Sequence, residues 1–193
     1  MTVRPAVRTD LDSIARLHAQ QITEGFLTSL GTPFLRRLYA RVLRSDDAFL
    51  LVDDIDGEVS GFVASVTRLA TLYRRFIIRD GVLAAGRAAP HVLRSLPRVL
   101  ETLRYPATTI DLPDAEILSV AVATHHGGRG IGQTLVRAAI DEFRHRKITA
   151  AKVVTTADNS RALAMYRACG FVSASDVEVH SGRSSEVLVW TAS

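Results

Sequence analysis

The sequence predicts an α/β domain built on a mixed, mostly antiparallel sheet of six to seven strands, with helices on both faces. Three observations carry that prediction. Residues 48–66 hold two apolar runs joined near Asp56-Gly57, the chemistry of a tight hairpin. Residues 117–155 read as an aliphatic strand, a glycine-rich turn, a helix and a second β-rich run, the order of a right-handed βαβ unit. Residues 171–190 read as two strands around Ser181-Gly182, a closing hairpin.

The remaining elements follow in order. Thr2 to Val7 alternates and carries Pro5, which suits an edge strand. Asp10 is placed to cap a helix whose apolar stripe is Leu11, Ile14, Ala15 and Leu17. Residues 20–31 mix Gly25 and Gly31 with Phe26, Leu27 and Leu30 and read as a connector with buried apolar side chains. Phe34, Leu35, Leu38, Tyr39 and Val42 then recur at helical spacing, with arginines on the outer side. Residues 48–52 form the next strand and 53–57 its turn. The acidic cluster Asp53, Asp54 and Asp56 lacks the glycine and distal glutamate of a calcium loop, so it reads as a solvated turn.

An insert at about residues 68–106 is predicted to be helical, with its apolar stripe broken by Gly81, Gly86, Pro90 and Pro97. Arginines such as Arg74, Arg79, Arg94 and Arg98 lie opposite the stripe. Two or three helices packed over the sheet explain every apolar position. A substrate lid, a dimer surface and a basic amphipathic membrane-surface element are the functional readings of the same pattern.

The chemistry concentrates after the insert. Ile117 to Val122 is an aliphatic strand, and Ile131, Leu135, Val136, Ala139, Ile140 and Phe143 give the following helix one apolar face. Between them lies Gly127-Gly128-Arg129-Gly130-Ile131-Gly132. Glycines let the backbone approach a ligand closely, and the first turn of a helix leaves N–H groups without internal partners. Such a turn attracts phosphate, and Arg129 adds a charge. It is not a nucleotide P-loop, because Gly-Lys-Ser/Thr is missing. Nor is it a dinucleotide fingerprint, because Gln133 or Leu135 stands where the third glycine belongs.

The string AEILSVAVATHHGGRGIGQTL instead resembles the acetyl-CoA motif of the GNAT N-acetyltransferase superfamily, a strand followed by (Q/R)-x-x-G-x-(G/A). Gly130-Ile131-Gly132 matches, while Gly127 stands at the place of Gln or Arg, so a polar contact to the pyrophosphate is either lost or taken over by Arg129. At the distance the family requires, Asn159 to Phe171 resembles N-x-x-A-x-x-x-Y-x-x-x-G-F. The resemblance covers about residues 115–172. It implies acetyl-CoA as cosubstrate, held by the main chain of Val120, Ala121 and Val122, by Gly127, Gly128, Arg129, Gly130, Ile131, Gly132 and Gln133, and by Asn159. It implies direct attack by a primary amine in a ternary complex, with Tyr166 as general acid and Glu116 as base. Read from the residues alone, Tyr166 is equally a half-buried aromatic, Glu116 a strand-end charge and Asn159 a helix cap. On the assumption of plain alternation, Glu116, Leu118, Val120 and Val122 share one face. In the family, residues 20–31 often line the acceptor pocket.

Composition narrows the alternatives. The 193 residues suit a single domain, 1–193, with an ordinary globular balance of 47% hydrophobic and 23% charged residues. The net charge of +4 suits a polyanionic cosubstrate. No run of five basic residues and no aromatic platform supports nucleic-acid binding. The single cysteine, Cys169, excludes an internal disulfide and reads as a buried helix-end residue. His125-His126 has no cysteine or carboxylate at metal-site spacing, so no metal is expected. The N-terminus lacks a signal-peptide core and no apolar run reaches about 18–20 residues, which makes a cytoplasmic protein without membrane contact the expectation. The expected function is acetylation of a small-molecule amine, with a homodimer through the insert. The alternatives are a protein lysine or N-terminal acetyltransferase and a noncatalytic acyl-CoA-binding module.

Overall fold

The computed structural model describes residues 2–23, 26–68, 112–178 and 184–192. One seven-stranded sheet organises them, in the order β1-β2-β3-β4-β5-β7-β6. β1 (Thr2–Pro5), β2 (Ala48–Ile55), β3 (Glu58–Val66) and β4 (Glu116–Val122) form an antiparallel run. β4 and β5 (Ala150–Thr156) are parallel, and β7 (Ser184–Thr191) inserts antiparallel between β5 and β6 (Val172–Glu178). The mixed, mostly antiparallel sheet predicted from sequence is therefore present.

The helices are α1 (Leu11–Gln21), α2 (Phe26–Ser29), α3 (Thr32–Val42), α4 (Ile131–His145) and α5 (Ser160–Ala168). α1 and α3 cover one face of the sheet, where Ile14, Leu35, Tyr39 and Phe62 are buried. α4 and α5 cover the other, where Ile117, Leu135, Phe143, Leu163, Tyr166 and Phe171 are buried. Strand alternation divides the two cores: Leu50 and Val52 face α1 and α3, while Phe49 and Leu51 face α4. α4 approaches the sheet closely because Gly61 has no side chain. A Cβ there would stand 2.9 Å from the Ala121 carbonyl and 3.0 Å from Leu135 Cδ1.

Two local expectations are corrected. The acidic turn is shorter than predicted, because β2 runs on to Ile55 and leaves only Asp56 and Gly57, both at positive φ (54° and 85°), to reverse the chain. Asp53 thus belongs to a paired strand; it is fully buried and accepts a hydrogen bond from Ser60 Oγ. Asp10 precedes α1 but makes no side-chain cap to it. Its carboxylate accepts from the Val7 N–H at 2.8 Å and from Arg4, which also donates to Asp54 and so ties β1 and β2 to the start of α1. Burial pushes the Asp10 carboxyl up, but Arg4 and the Val7 N–H together hold it below the ordinary carboxylate range.

From residue 69 on, the predicted insert and its readings as lid, dimer surface or membrane element lie outside the described residues, as does the Ser181-Gly182 turn. Among the described residues no helix is long and apolar enough to cross a membrane.

Candidate active site

A gap in the sheet defines the site. Among the described residues β4 and β5 pair only at Glu116↔Lys152 and Ile117↔Val153, with the Lys152 N–H donating to the Ala115 carbonyl at 2.9 Å at the foot of the pairing. Beyond those pairs β4 keeps its β3 neighbour but has no partner toward β5 among the described residues. Main-chain groups of Leu118 to Val122 on that side are left to bond a ligand. Side-chain exposure follows the same line: Glu116 and Ile117 are buried, whereas Leu118, Ser119 and Val120 are half-buried.

A bulge inside β4 changes which side chains face which way. Ser65 pairs Ile117 and Ala64 pairs Ser119, so Leu118 is an extra residue. Ile117, Val120 and Val122 pack in the α4 core, whereas Leu118 packs toward α1 and α3. The expectation that Glu116, Leu118, Val120 and Val122 share a face is thereby corrected. Glu116, adjacent to Ile117, projects to the α1 and α3 side. Lys152, between Ala151 and Val153 of the α4 core, projects there with it.

At the top of the gap the chain passes through a short 3₁₀ turn (Thr124–His126) into the glycines. Gly128 and Gly130 take positive φ (78° and 77°), which a side chain would oppose. Gly130 is the N-cap of α4 and no side chain caps that end. The first internal bond runs from the Thr134 N–H to the Gly130 carbonyl at 3.0 Å, which leaves the amides of Ile131, Gly132 and Gln133 without intrahelical acceptors. Gly132 lets α4 meet α5: a Cβ would stand 2.7 Å from Met165 Sδ. The uncapped N-terminus and its dipole suit a phosphate group.

Three positive or polar groups rim this turn. Arg129 Nη1 turns back to 3.4 Å from His126 Nδ1, and His125 and His126 stack at 4.2 Å as an exposed lip. The third group was missed in the sequence. Arg161, from the first turn of α5, places Nη2 3.4 Å from where a Gly127 Cβ would be. A guanidinium thus occupies the space left where the family pattern has Gln or Arg.

Tyr166 lies on the α4 and α5 side of the gap, 6% exposed and edge-on to Phe171 at 5.6 Å. Burial, reinforced by nearby Cys169, holds its hydroxyl above the ordinary phenol value, so it carries its proton. The hydroxyl makes no hydrogen bond among the described residues. Cys169 is buried with Sγ 3.8 Å from the Gln133 carbonyl, and burial pushes its thiol up against the opposing effect of Arg137. Asn159 caps α5 by accepting from the Ala162 N–H at 3.1 Å, and its side-chain N–H₂ makes no hydrogen bond among the described residues.

Glu116 is sealed in at 9% exposure beside Lys152, whose Nζ stands 3.6 Å from Glu116 Oε2 and donates to the Pro113 carbonyl. Oε2 itself has no hydrogen-bond partner. Burial raises the carboxyl to about 7 against the lowering effect of Lys152. The structure therefore puts Glu116 and Tyr166 on opposite faces of the sheet, at the level where the gap opens.

The family model described as "Acetyltransferase (GNAT) family" matches residues 12–171. The chain belongs to the acetyltransferase (GNAT) family. It is an acetyl-CoA-dependent acyltransferase, as members of this family are. No curated protein matches it significantly in sequence. Among solved structures, a ribosomal-protein-alanine N-acetyltransferase from Brucella melitensis superposes with TM-score 0.66 at 17% identity, covering 100% of both chains. A mutant spermidine N-acetyltransferase from Vibrio cholerae superposes with TM-score 0.63 at 17% identity, covering 99% of this chain and 95% of its own. The NatC complex bound to Gag peptide and CoA gives TM-score 0.63 at 16% identity, covering 100% and 98%. At these identities the likeness shows the GNAT fold; proteins of that fold acetylate both small amines and polypeptides.

Proposed function

We propose that this GNAT domain, spanning 1–193, is a cytoplasmic enzyme that transfers the acetyl group of acetyl-CoA to a primary amine of a small metabolite by direct attack in a ternary complex. The observation that carries the reading is the opening of β4 from β5 directly below the uncapped start of α4. The residues fit coenzyme A. The free amides of Ile131, Gly132 and Gln133, with Arg129 and Arg161, are a receptor for a diphosphate, and the unpaired edge of Val120 to Val122 suits an amide-bearing pantetheine arm. Arg161 takes the part expected of Arg129 alone. Acetyl-CoA supplies an activated acyl group with a thiol as leaving group.

The protein's own groups would then divide the work. Tyr166, protonated and without a hydrogen bond among the described residues, gives its proton to the departing thiolate. The Val122 N–H opposes charge on the carbonyl oxygen. Glu116, with its carboxyl raised toward neutrality, takes the amine proton from the other face, directly or through water. The side-chain N–H₂ of Asn159 holds the cosubstrate near its thiol end. Acid and base do not neutralise each other because the sheet separates them. The long addition at 68–106 gives enough chain to wall an acceptor pocket, and this supports a small amine over a polypeptide. The unpaired, buried Cys169 agrees with a reducing compartment.

The test is calorimetry with acetyl-CoA followed by a thiol-release screen over spermidine, glucosamine, lysine and an alanine-starting peptide. Turnover of one of the small amines in preference to the peptide is expected. Preference for the peptide would overturn the small-acceptor reading, and tight binding without turnover would favour a noncatalytic acyl-CoA module.

A further inference from the structure

A lysine in the interior of an apolar parallel strand needs a reason, because a buried ammonium has to be paired with an opposite charge or satisfied by hydrogen bonds. Lys152 stands between Ala151 and Val153 of β5 and is buried with them. Its main-chain N–H donates to the Ala115 carbonyl at 2.9 Å and its Nζ to the Pro113 carbonyl, so backbone and side chain both hold the entry of β4. Its Cα partner across the strands is Glu116, one pair before the gap opens.

The spacing inside this cluster decides what it can do. Nζ stands 3.6 Å from Glu116 Oε2, which has no hydrogen-bond partner among the described residues. The Pro113 carbonyl holds the ammonium, so Glu116 feels its charge without accepting a hydrogen bond from it. A direct bond would stabilise the carboxylate further and weaken it as a base, whereas with no charge nearby burial alone would keep the carboxyl protonated. The arrangement lies between these limits: burial raises the carboxyl to about 7 and Lys152 opposes the rise. Other charges do not stand in for Lys152. β3 sets Val66 opposite Glu116, and Arg68 beyond it is exposed, as is Asp114 ahead of β4. On the side covered by α1 and α3, the buried His18 and Tyr39 bond each other, and Asp12 pairs Arg36 in solvent.

We infer that Lys152 is the positioning residue of the base: its ammonium, moored on the Pro113 carbonyl, is the fixed counter-charge that keeps Glu116 ready to accept a proton and drives that proton out after transfer. The inference rests on the reading of Glu116 as base above. When Glu116 takes the amine proton it becomes neutral, and Lys152 is left as a buried cation without a counter-charge. Loss of the proton to water restores the pair, so each turnover ends with Glu116 charged again. Lys152 itself gives up no proton.

Two measurements test it. In the thiol-release assay, using whichever of spermidine, glucosamine, lysine and the alanine-starting peptide wild type turns over best, the limb of kcat/KM against pH that Glu116→Gln removes reports the base. Lys152→Met keeps an apolar stem and deletes the charge. Its limb should lie about one pH unit or more above that of wild type, with kcat/KM at pH 7 down about fivefold or more and the loss recovered as pH rises. A limb at the wild-type pH, or an equal loss at every pH, would overturn this inference alone and leave Lys152 a clamp between strands. The second measurement needs no variant. Lys147 and Lys152 are the only lysines, so ¹⁵N spectra of lysine-labelled wild type can follow each Nζ. Lys152 should stay an ammonium whose shift responds as Glu116 titrates; a neutral amine, or a shift blind to that transition, would overturn the inference. If Glu116→Gln kept the wild-type limb, or wild type bound acetyl-CoA and turned over none of the amines, the reading above would fall and this one with it.

Discussion

Removing the phenol oxygen of Tyr166 leaves its ring against Phe171 and takes away only the proton the mechanism needs. Tyr166→Phe should therefore lower kcat by about ten- to a thousandfold while acetyl-CoA affinity by calorimetry persists, and unchanged turnover would remove Tyr166 from the chemistry. Glu116 makes a prediction about pH. Its carboxyl is raised to about 7, so the basic form appears only above neutrality, and kcat/KM should rise with pH through about 7. Glu116→Gln should abolish that limb; an identical profile in the variant would return Glu116 to a structural role. Stability runs the other way at this residue. The native state binds the extra proton between the ordinary carboxylate value and about 7, so the contribution of Glu116 is present at low pH and is lost as pH rises through that window. His18, lowered to about 4, has the opposite sign: between about 6.5 and 4 the unfolded chain binds the proton and the native one does not. Its contribution is complete above about 6.5 and declines as pH falls, at a slope of up to about 1.4 kcal/mol per pH unit.

Elements decide how these residues meet, and here the sequence was informative unevenly. The βαβ unit was legible because α4 buries Ile131, Leu135, Ala139 and Phe143 at helical spacing and β4 and β5 are aliphatic runs. The bulge was not. Leu118-Ser119-Val120-Ala121 alternates as smoothly as any strand, and only pairing with β3 shows that Leu118 is extra. Tyr166 and Asn159 stood out through motif spacing, whereas Arg161 was hidden because its contact with Gly127 joins residues distant in sequence. Lys152 was hidden in an apolar strand, and His18 and Tyr39 passed as core-face residues of two ordinary helices. Arg161→Ala should weaken acetyl-CoA binding about three- to tenfold, the loss shrinking in high salt, as befits a partly exposed phosphate contact. Gly61→Ala should destabilise by about 1–3 kcal/mol in denaturant titration, since the added carbon meets the Ala121 backbone and Leu135 together. A neutral result would show that α4 stands off the sheet more than the contact implies.

On the scale of the whole molecule the sheet is a partition with one opening. Composition and alternation made the α/β class, the strand number and the two helical layers legible, because β2, β3 and β4 bury both faces between them. What they could not reveal is that β4 and β5 keep only two paired rungs. In the mechanism proposed above, that opening is where the Tyr166 phenol on the α4 and α5 side and the Glu116 carboxylate on the α1 and α3 side would act on one thioester. The account depends on coenzyme A lying through the opening. A crystal structure of the protein with coenzyme A tests it most directly: its diphosphate should sit on the amides of Ile131, Gly132 and Gln133 beside Arg161, with the pantetheine between β4 and β5 and the thiol near Tyr166. Coenzyme A bound anywhere else on the protein, with β4 and β5 still parted and empty, would contradict it.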